Sequence, residues 1–164
     1  MRVDTFRRPD GVSVEKAFID HPGSVVLIPF LDEQVIMLRQ YRPAMEKTIL
    51  ELPAGTREPG ETWLACAQRE LREETGYRAE RFISLGQIWP GPGLTNEIMA
   101  LFLAIGLSSD PLPADFDEEI TLAPMPIAEL GVMARDGQLQ DAKSIVAILR
   151  AEDYLASSTI KQKN

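Results

Sequence analysis

Three glutamates that lie close together in the sequence have the residue type and spacing for metal chemistry. Glu70, Glu73 and Glu74 fall at positions i, i+3 and i+4, so on a helix they share one face. Like charges at that spacing repel one another. Gly76 follows them as a typical residue after a helix C-terminus, an end that favours cations over carboxylates. Two interpretations stay open: a solvated acidic face, and a bound divalent cation that takes carboxylate oxygens as ligands.

The wider stretch, residues 55–77, places these glutamates in a longer pattern. With U for a bulky apolar residue, the pattern is G-x5-E-x7-R-E-U-x-E-E-x-G-U, and its positions are filled by Gly55, Glu61, Arg69, Glu70, Leu71, Glu73, Glu74 and Gly76. Tyr77 takes the last position, where an aliphatic residue is usual, but it still offers a large apolar body. The stretch resembles the Nudix box, the signature of the Nudix hydrolases, and so many fixed spacings make a chance match rare.

The resemblance implies a metal site and a role for each residue around it. It implies Mg²⁺, with Mn²⁺ as a possible substitute, held by the Ala54 carbonyl, Glu70, Glu74 and Glu118. Glu73 would bind another metal ion or orient water, and Arg69 would fix the glutamates through i,i+4 pairing with Glu73. The residues assigned to catalysis are therefore Glu73, Glu118 and Arg69. From helix position alone, Arg69 and Arg72 are expected to point mostly to other faces.

Three further segments resemble the ADP-ribose pyrophosphatase branch of the family. They are RQYRP at residues 39–43, ELPAG at residues 51–55 and the Pro-Gly loop that ends in Glu97. The resemblance assigns Arg42, Glu51 and Glu97 to substrate binding, and the planar guanidinium of Arg42 suits phosphate oxygens. A surface arginine at a strand end and an ordinary Pro-Gly connector are the alternatives.

The loop before the last strand departs from the family pattern. A carboxylate there joins the metals in the ADP-ribose branch, and Glu118 fits that position. The family's proposed general base lies two residues earlier, where this chain has Phe116. Because a phenyl ring cannot accept a proton, the water-activating group stays open among Glu118 itself, Glu73, Asp115, Asp117 and Glu119.

Composition narrows the class of protein. The chain has 164 residues, 45% of them hydrophobic and 26% charged, which is typical of a soluble globular domain. Its net charge of −8 argues against a general nucleic-acid surface. We expect no membrane span and no signal peptide. With Cys66 as its one cysteine, the chain cannot form an intramolecular disulfide, so a cytoplasmic location is the default expectation. Cys66 itself is expected to be a packed structural thiol.

The pattern of elements predicts an α/β Nudix fold, a mixed and partly closed β-sheet sandwiched between helices. We expect a hairpin from strands at 3–7 and 12–19, and further strands at 24–30, 34–39, 48–52, 82–89, 98–105 and 118–122. Helices are expected at 63–75, 127–134 and 142–152, the first with Thr62 as N-cap and with a core stripe of Leu64, Ala67 and Leu71. We expect residues 1–156 to form a single domain and the polar tail 157–164 to be frayed.

These observations lead to one functional hypothesis with two alternatives. The resemblance implies hydrolysis of the pyrophosphate in a nucleoside diphosphate linked to a sugar, with ADP-ribose, cleaved to AMP and ribose 5-phosphate, as the first candidate. GDP-mannose or another nucleotide sugar is the alternative among enzymes, because the box specifies pyrophosphate chemistry and not base or sugar. A nucleotide-sugar-sensing Nudix-like domain is the alternative outside enzymes. The branch typically forms homodimers, so we expect a homodimer with residues 1–20 at the contact.

Overall fold

The computed structural model describes residues 1–113 and 119–161 of the chain. Its strands and helices follow one another along the sequence in the order β1 (Arg2–Arg7), β2 (Ser13–Phe18), β3 (Ser24–Leu31), β4 (Gln34–Arg42), β5 (Lys47–Glu51), β6 (Ala54–Thr56), α1 (Trp63–Thr75), β7 (Tyr77–Ile88), β8 (Met99–Ser109), β9 (Ile120–Pro126), α2 (Ile127–Asp136) and α3 (Ala142–Lys161). Within this described part, none of the helices is long and apolar enough to cross a membrane.

A mixed sheet forms the centre of the fold. Its strand order is β5-β4-β3-β8-β7, with β6 paired to β3 and β9 paired to β4. The β3–β8 pair is parallel, whereas the other pairs of this sheet are antiparallel. This mixed sheet with its helices confirms the predicted α/β class, and the predicted apolar strand at 98–105 is β8, between β3 and β7.

Strand β3 connects the two parts of the core. Val26 and Ile28 face a cluster that includes Leu130 of α2 and Ile148 of α3, whereas Val25 and Leu27 face a second cluster that includes α1. Successive side chains of a strand point to opposite faces of the sheet. The alternation along β3 therefore explains why helices cover both of its faces.

Helix α1 begins and ends as the sequence predicts. The Thr62 side chain accepts a hydrogen bond from the Ala65 N–H at 3.1 Å, and Gly76 adopts a left-handed φ of 74° after the last turn. The predicted core stripe is wrong at Leu64, which is 46% exposed. Trp63 packs there instead, because its ring contacts Gly23 and lies 4.1 Å from the Arg57 guanidinium carbon.

Several element boundaries differ from the predicted ones. Strand β7 starts at Tyr77, five residues before the predicted 82, because it leaves the Gly76 turn directly and pairs with the far end of β8. Helix α3 continues to Lys161, into the tail that the sequence predicts to be frayed. Strand β9 starts at Ile120, and the first predicted residue of that strand, Glu118, lies outside the described residues.

The N-terminal hairpin has the predicted form. β1 and β2 pair antiparallel, separately from the mixed sheet, and their turn is closed by a 2.9 Å hydrogen bond from Gly11 N–H to the Arg8 carbonyl. Beyond the hairpin, Ile19 N–H donates to the Leu94 carbonyl at 2.8 Å. Val3 and Phe6 are 59% and 45% exposed. The hairpin therefore presents apolar side chains to solvent.

Candidate metal and substrate site

The glutamates of α1 pack directly on the segment that forms β6. Glu70 and Glu74 are buried, at 8% and 7% exposure. The Ala54 N–H donates to Glu74 Oε2 at 2.9 Å. A Cβ added to Gly55 would lie only 1.8 Å from Glu70 Cδ, so a glycine is required where the carboxylate meets the backbone. The structure therefore brings together Ala54, Gly55, Glu70 and Glu74, as the sequence predicts.

Arg69 lies at the centre of the carboxylate group. Its Nη1 donates to Glu70 Oε1 at 2.7 Å and to Glu73 Oε2 at 2.8 Å, and its Nε and Nη2 each lie 3.1 Å from an oxygen of Glu61. The predicted i,i+4 pairing with Glu73 is confirmed. The expectation that Arg69 points mostly to other faces is wrong, because its long side chain reaches carboxylates on both sides. Arg72 does point away, toward Asp110.

The electrostatics of this group follow from these contacts. Hydrogen bonds to Glu61, and then to Glu73, raise the pKa of Arg69 above its usual range. The same hydrogen bonds from Arg69 hold the pKa of Glu61 below its ordinary value. Carboxylates outnumber the guanidinium among Glu61, Arg69, Glu70 and Glu73, so negative charge remains in excess. An excess of buried negative charge is the condition in which a divalent cation binds favourably.

The side chains fit a hard divalent cation by donor type but are not arranged around one. Among residues 1–113 and 119–161, no group of three or more His, Cys, Asp or Glu side chains is arranged with the geometry of a metal site. Arg69 instead engages Glu70 and Glu73, and Glu74 accepts a hydrogen bond from Ala54. Glu118, the remaining predicted metal ligand, lies outside the described residues, as do Asp115, Phe116 and Asp117. Glu119 is exposed beside β9.

Arg42 and Glu51 form an ion pair across β4 and β5. Arg42 Nε and Nη2 donate to the two oxygens of Glu51 at 2.8 and 3.0 Å. The Glu51 side chain is 1% exposed and that of Arg42 is 39% exposed. Lys143 Nζ, at the start of α3, lies 2.5 Å from Glu51 Oε2. Sequence reasoning missed Lys143, for which the DAKS sequence at the start of a helix was the one available signal.

Glu97, in the loop after β7, lies beside the first residue of β3. Glu97 Oε1 accepts a hydrogen bond from Ser24 Oγ at 2.6 Å, and Ser24 pairs with Thr56, whose carbonyl accepts from Arg69. His21 Nδ1 lies 3.7 Å from Glu97. That nitrogen accepts a hydrogen bond from Gly23 N–H at 3.1 Å.

A cavity of about 720 Å³ adjoins Glu97. It lies between the N-terminal hairpin and the loop after β7, and its lining includes the aromatic rings of Phe6, Phe18 and Trp89. Trp89 is 72% exposed. The site therefore has a carboxylate-rich part on α1 and a separate, largely apolar part beside the hairpin, which the sequence analysis did not predict.

Cys66 lies beneath the carboxylate group. It is fully buried, and this burial, together with the nearby Glu61 and Glu70 charges, raises the pKa of its thiol to about 12. A thiol with so high a pKa stays protonated at neutral pH and is a poor nucleophile. The prediction of a packed structural thiol is confirmed.

Comparison with known proteins identifies the family of this chain. A family model described as NUDIX domain matches residues 20–147. The chain is 34% identical over 151 residues to the methanol dehydrogenase activator of Bacillus methanolicus, covering 90% of this chain and 82% of that protein. It is also 34% identical over 149 residues to the ADP-ribose pyrophosphatase of Bacillus subtilis (strain 168), covering 89% and 80%.

A solved structure shows the same fold. The crystal structure of an ADP compounds hydrolase matches with a TM-score of 0.82 at 22% identity, covering 96% of this chain and 94% of that chain. The family model over residues 20–147 and the two relatives at 34% identity show that the chain belongs to the Nudix family, and it is a Nudix pyrophosphohydrolase. Nudix hydrolases generally need divalent metal ions, in agreement with the excess of carboxylates on α1.

Proposed function

We propose that this protein hydrolyses the pyrophosphate of a nucleoside diphosphate linked to a sugar, with Mg²⁺ as the metal ion and Mn²⁺ as a possible substitute. The first candidate substrate is ADP-ribose, cleaved to AMP and ribose 5-phosphate. The observation that carries this proposal is the packing of Glu70 and Glu74 on the Ala54–Gly55 backbone. The relative from Bacillus subtilis, an ADP-ribose pyrophosphatase, supports the choice of substrate.

The reaction forms one bond and breaks another. A water oxygen bonds to one phosphorus of the pyrophosphate, the bond from that phosphorus to the bridging oxygen breaks, and the other phosphate leaves. A bound divalent cation would supply charge neutralisation on the phosphate oxygens. In the proposed assignment Glu70, Glu74, Glu118 and the Ala54 carbonyl hold the metal, and Glu73 binds a further ion or orients water.

The remaining residues orient the substrate and the carboxylates. Arg69 keeps Glu70 and Glu73 in place through the hydrogen bonds described above. Arg42, fixed by Glu51, offers a partly exposed guanidinium to phosphate oxygens. Glu97 and the adjoining aromatic cavity provide a surface for the sugar or base, since aromatic faces and a carboxylate bind such groups by stacking and by hydrogen bonds to hydroxyls.

The experiment that tests the proposal is a substrate panel with product identification. ADP-ribose, GDP-mannose and other nucleotide sugars would be incubated with Mg²⁺, and the nucleoside monophosphate and sugar phosphate would be quantified by chromatography. We expect the highest kcat/KM with ADP-ribose, release of AMP, and loss of activity in EDTA and in Glu70→Gln. A higher kcat/KM with GDP-mannose would make GDP-mannose, rather than ADP-ribose, the assigned substrate. Tight binding of nucleotide sugars without turnover would favour a sensing domain.

We propose further that two chains assemble through the N-terminal hairpin. An isolated two-stranded hairpin is marginal in water, and this one exposes Val3 and Phe6, so a second chain packed on it would bury apolar surface. Light scattering at micromolar concentration is expected to give the mass of a dimer, and deletion of residues 1–20 is expected to reduce it to a monomer. A monomeric mass for the full chain would refute the proposal.

A further inference from the structure

The start of α3 holds the segment between β5 and β6 at two adjacent points. Lys143 Nζ contacts Glu51 Oε2 at 2.5 Å, and Ser144 Oγ accepts a hydrogen bond from Leu52 N–H at 2.7 Å. Asp141 Oδ2 joins these points, because it lies 3.0 Å from Lys143 Nζ and accepts from Ser144 N–H at 3.2 Å and from Ser144 Oγ at 2.5 Å. The Glu51 and Ser144 side chains are almost completely buried.

The Glu51 carboxylate is shared between two cations. Arg42 approaches it with Nε and Nη2, and Lys143 approaches the oxygen that also accepts from Arg42 Nη2. A bidentate pair of this kind sets the plane of the guanidinium as well as its position. The Glu51 carboxylate therefore links Lys143 to Arg42, because its Oε2 is in contact with both.

We infer that Lys143 is a positioning residue, which acts on the substrate through Glu51 and Arg42. Its side chain is 12% exposed and contacts Glu51 and Asp141, so it is placed to hold the ion pair. The inference rests on the proposed function in one respect, the assignment of Arg42 to the substrate. Arg42, at 39% exposure, is the member of this cluster that reaches solvent.

Removal of Lys143 would leave a buried carboxylate with one cation fewer. Because an under-compensated buried charge is unfavourable, Glu51 would either move toward water or draw the Arg42 guanidinium further inward. Both responses shift the exposed edge of Arg42. Since the carboxylates of α1 have separate contacts, the chemical step should change little, and the loss should fall on substrate affinity.

Steady-state kinetics of two variants test this inference. Lys143→Met keeps an extended apolar side chain without charge, and Lys143→Arg keeps the charge. We expect Lys143→Met to raise KM for ADP-ribose about tenfold, the scale for losing a charge-assisted hydrogen bond, with kcat within about twofold and with Mn²⁺ affinity unchanged. Lys143→Arg should restore most of the affinity. Lys47→Met is the matched control, because Lys47 Nζ bonds exposed Gln140 beside the same helix start.

A spectroscopic readout tests the positioning without any turnover. The Arg42 Nε–H resonance, assigned by its loss in Arg42→Lys, should be slow to exchange in the wild type because it is bonded to Glu51. It should broaden or shift in Lys143→Met and remain in Lys47→Met. If Lys143→Met does not fold, Asp141→Asn replaces it, with the same direction and a smaller change expected.

The outcomes separate this inference from the proposed function. A folded Lys143→Met with unchanged KM and an unchanged Arg42 signal would overturn the inference. A fall in kcat and Mn²⁺ affinity at constant KM would also overturn it, because Lys143 would then act on the metal segment. A wild-type protein that does not hydrolyse ADP-ribose would refute the proposed function, while the Arg42 signal would still decide whether Lys143 positions it.

Discussion

Gly55→Ala tests the contact between the β6 segment and α1. In the wild type, a Cβ at this position would lie 1.8 Å from Glu70 Cδ and 1.9 and 2.1 Å from its two oxygens. Ordinary contact begins at 3.4 Å, so the carboxylate must retreat by about 1.6 Å or the segment must move. The backbone of Gly55 is outside the left-handed region, so the added methyl acts by steric contact rather than by backbone strain.

A displacement of this size should affect catalytic activity much more than it affects stability. Misplacing a catalytic group by about 1 Å can lower the rate about a hundredfold, so we expect kcat to fall at least that much. Overpacking of a close contact typically lowers the free energy of unfolding by about 1 to 3 kcal/mol. Activity at saturating Mg²⁺, Mn²⁺ affinity by electron paramagnetic resonance and urea unfolding would be measured on the same preparation.

Gly60→Ala is the control for stability loss without a change at the site. Gly60 has a left-handed φ of 80°, and a Cβ there would meet no atom within 4 Å. An alanine in that conformation should lower the free energy of unfolding by about 1 kcal/mol with kcat unchanged. If folded Gly55→Ala kept kcat within about threefold of the wild type, the contact with Glu70 would not determine the catalytic geometry, and the metal assignment would lose its main structural support.

Three further predictions concern the carboxylates and the thiol. Glu70→Gln and Glu74→Gln should each fold yet lower kcat at least about a hundredfold. In the wild type, Mg²⁺ should raise the Tm relative to EDTA. A near-normal kcat in either variant, or equal Tm values in Mg²⁺ and EDTA, would contradict the metal assignment. Cys66 should resist iodoacetamide in the native protein at pH 8, because a thiol pKa of about 12 keeps it protonated there, and should react after unfolding in guanidinium; stoichiometric native labelling would contradict its burial. Glu118→Gln should lower kcat far more than Asp115→Asn, Asp117→Asn or Glu119→Gln, with KM little changed. If Glu118→Gln kept a near-normal kcat while one of the other three variants lost activity, the catalytic role would belong to the residue changed in that variant.

Local rules predicted the parts of the site that lie on one element. The limits of α1 followed from Thr62 and Gly76, whose capping roles depend on neighbouring backbone. The Arg69–Glu73 pair followed from helix periodicity. The additional bonds from Arg69 to Glu61 and Glu70 did not follow, because they depend on how the loop before α1 folds back and on the rotamer of a long side chain.

Long-range contacts were the part that sequence reasoning missed. Lys143 is separated from Glu51 by 92 positions, and no periodicity relates two residues at such a distance. The exposure of Leu64 also depends on distant residues, because the neighbouring Trp63 packs inward through contacts of its ring with Gly23 and Arg57. Family resemblance assigned Arg42 and Glu51 to substrate binding, but it did not predict that the two form an ion pair.

The segment from Glu51 to Gly55 connects the two groups of charged residues in the site. Its first residue is held by Arg42 and Lys143, Leu52 is bonded to Ser144, and the Pro53 carbonyl accepts from Leu27 N–H at 2.9 Å. Ala54 and Gly55 then meet Glu74 and Glu70. The bonds of Leu52 to α3 and of Pro53 to β3 lie between the two groups. They fix the backbone there and separate a movement of the Glu51 side chain from the contacts that Ala54 and Gly55 make with α1. The geometry of the α1 carboxylates is therefore a property of this segment as much as of the helix that carries them.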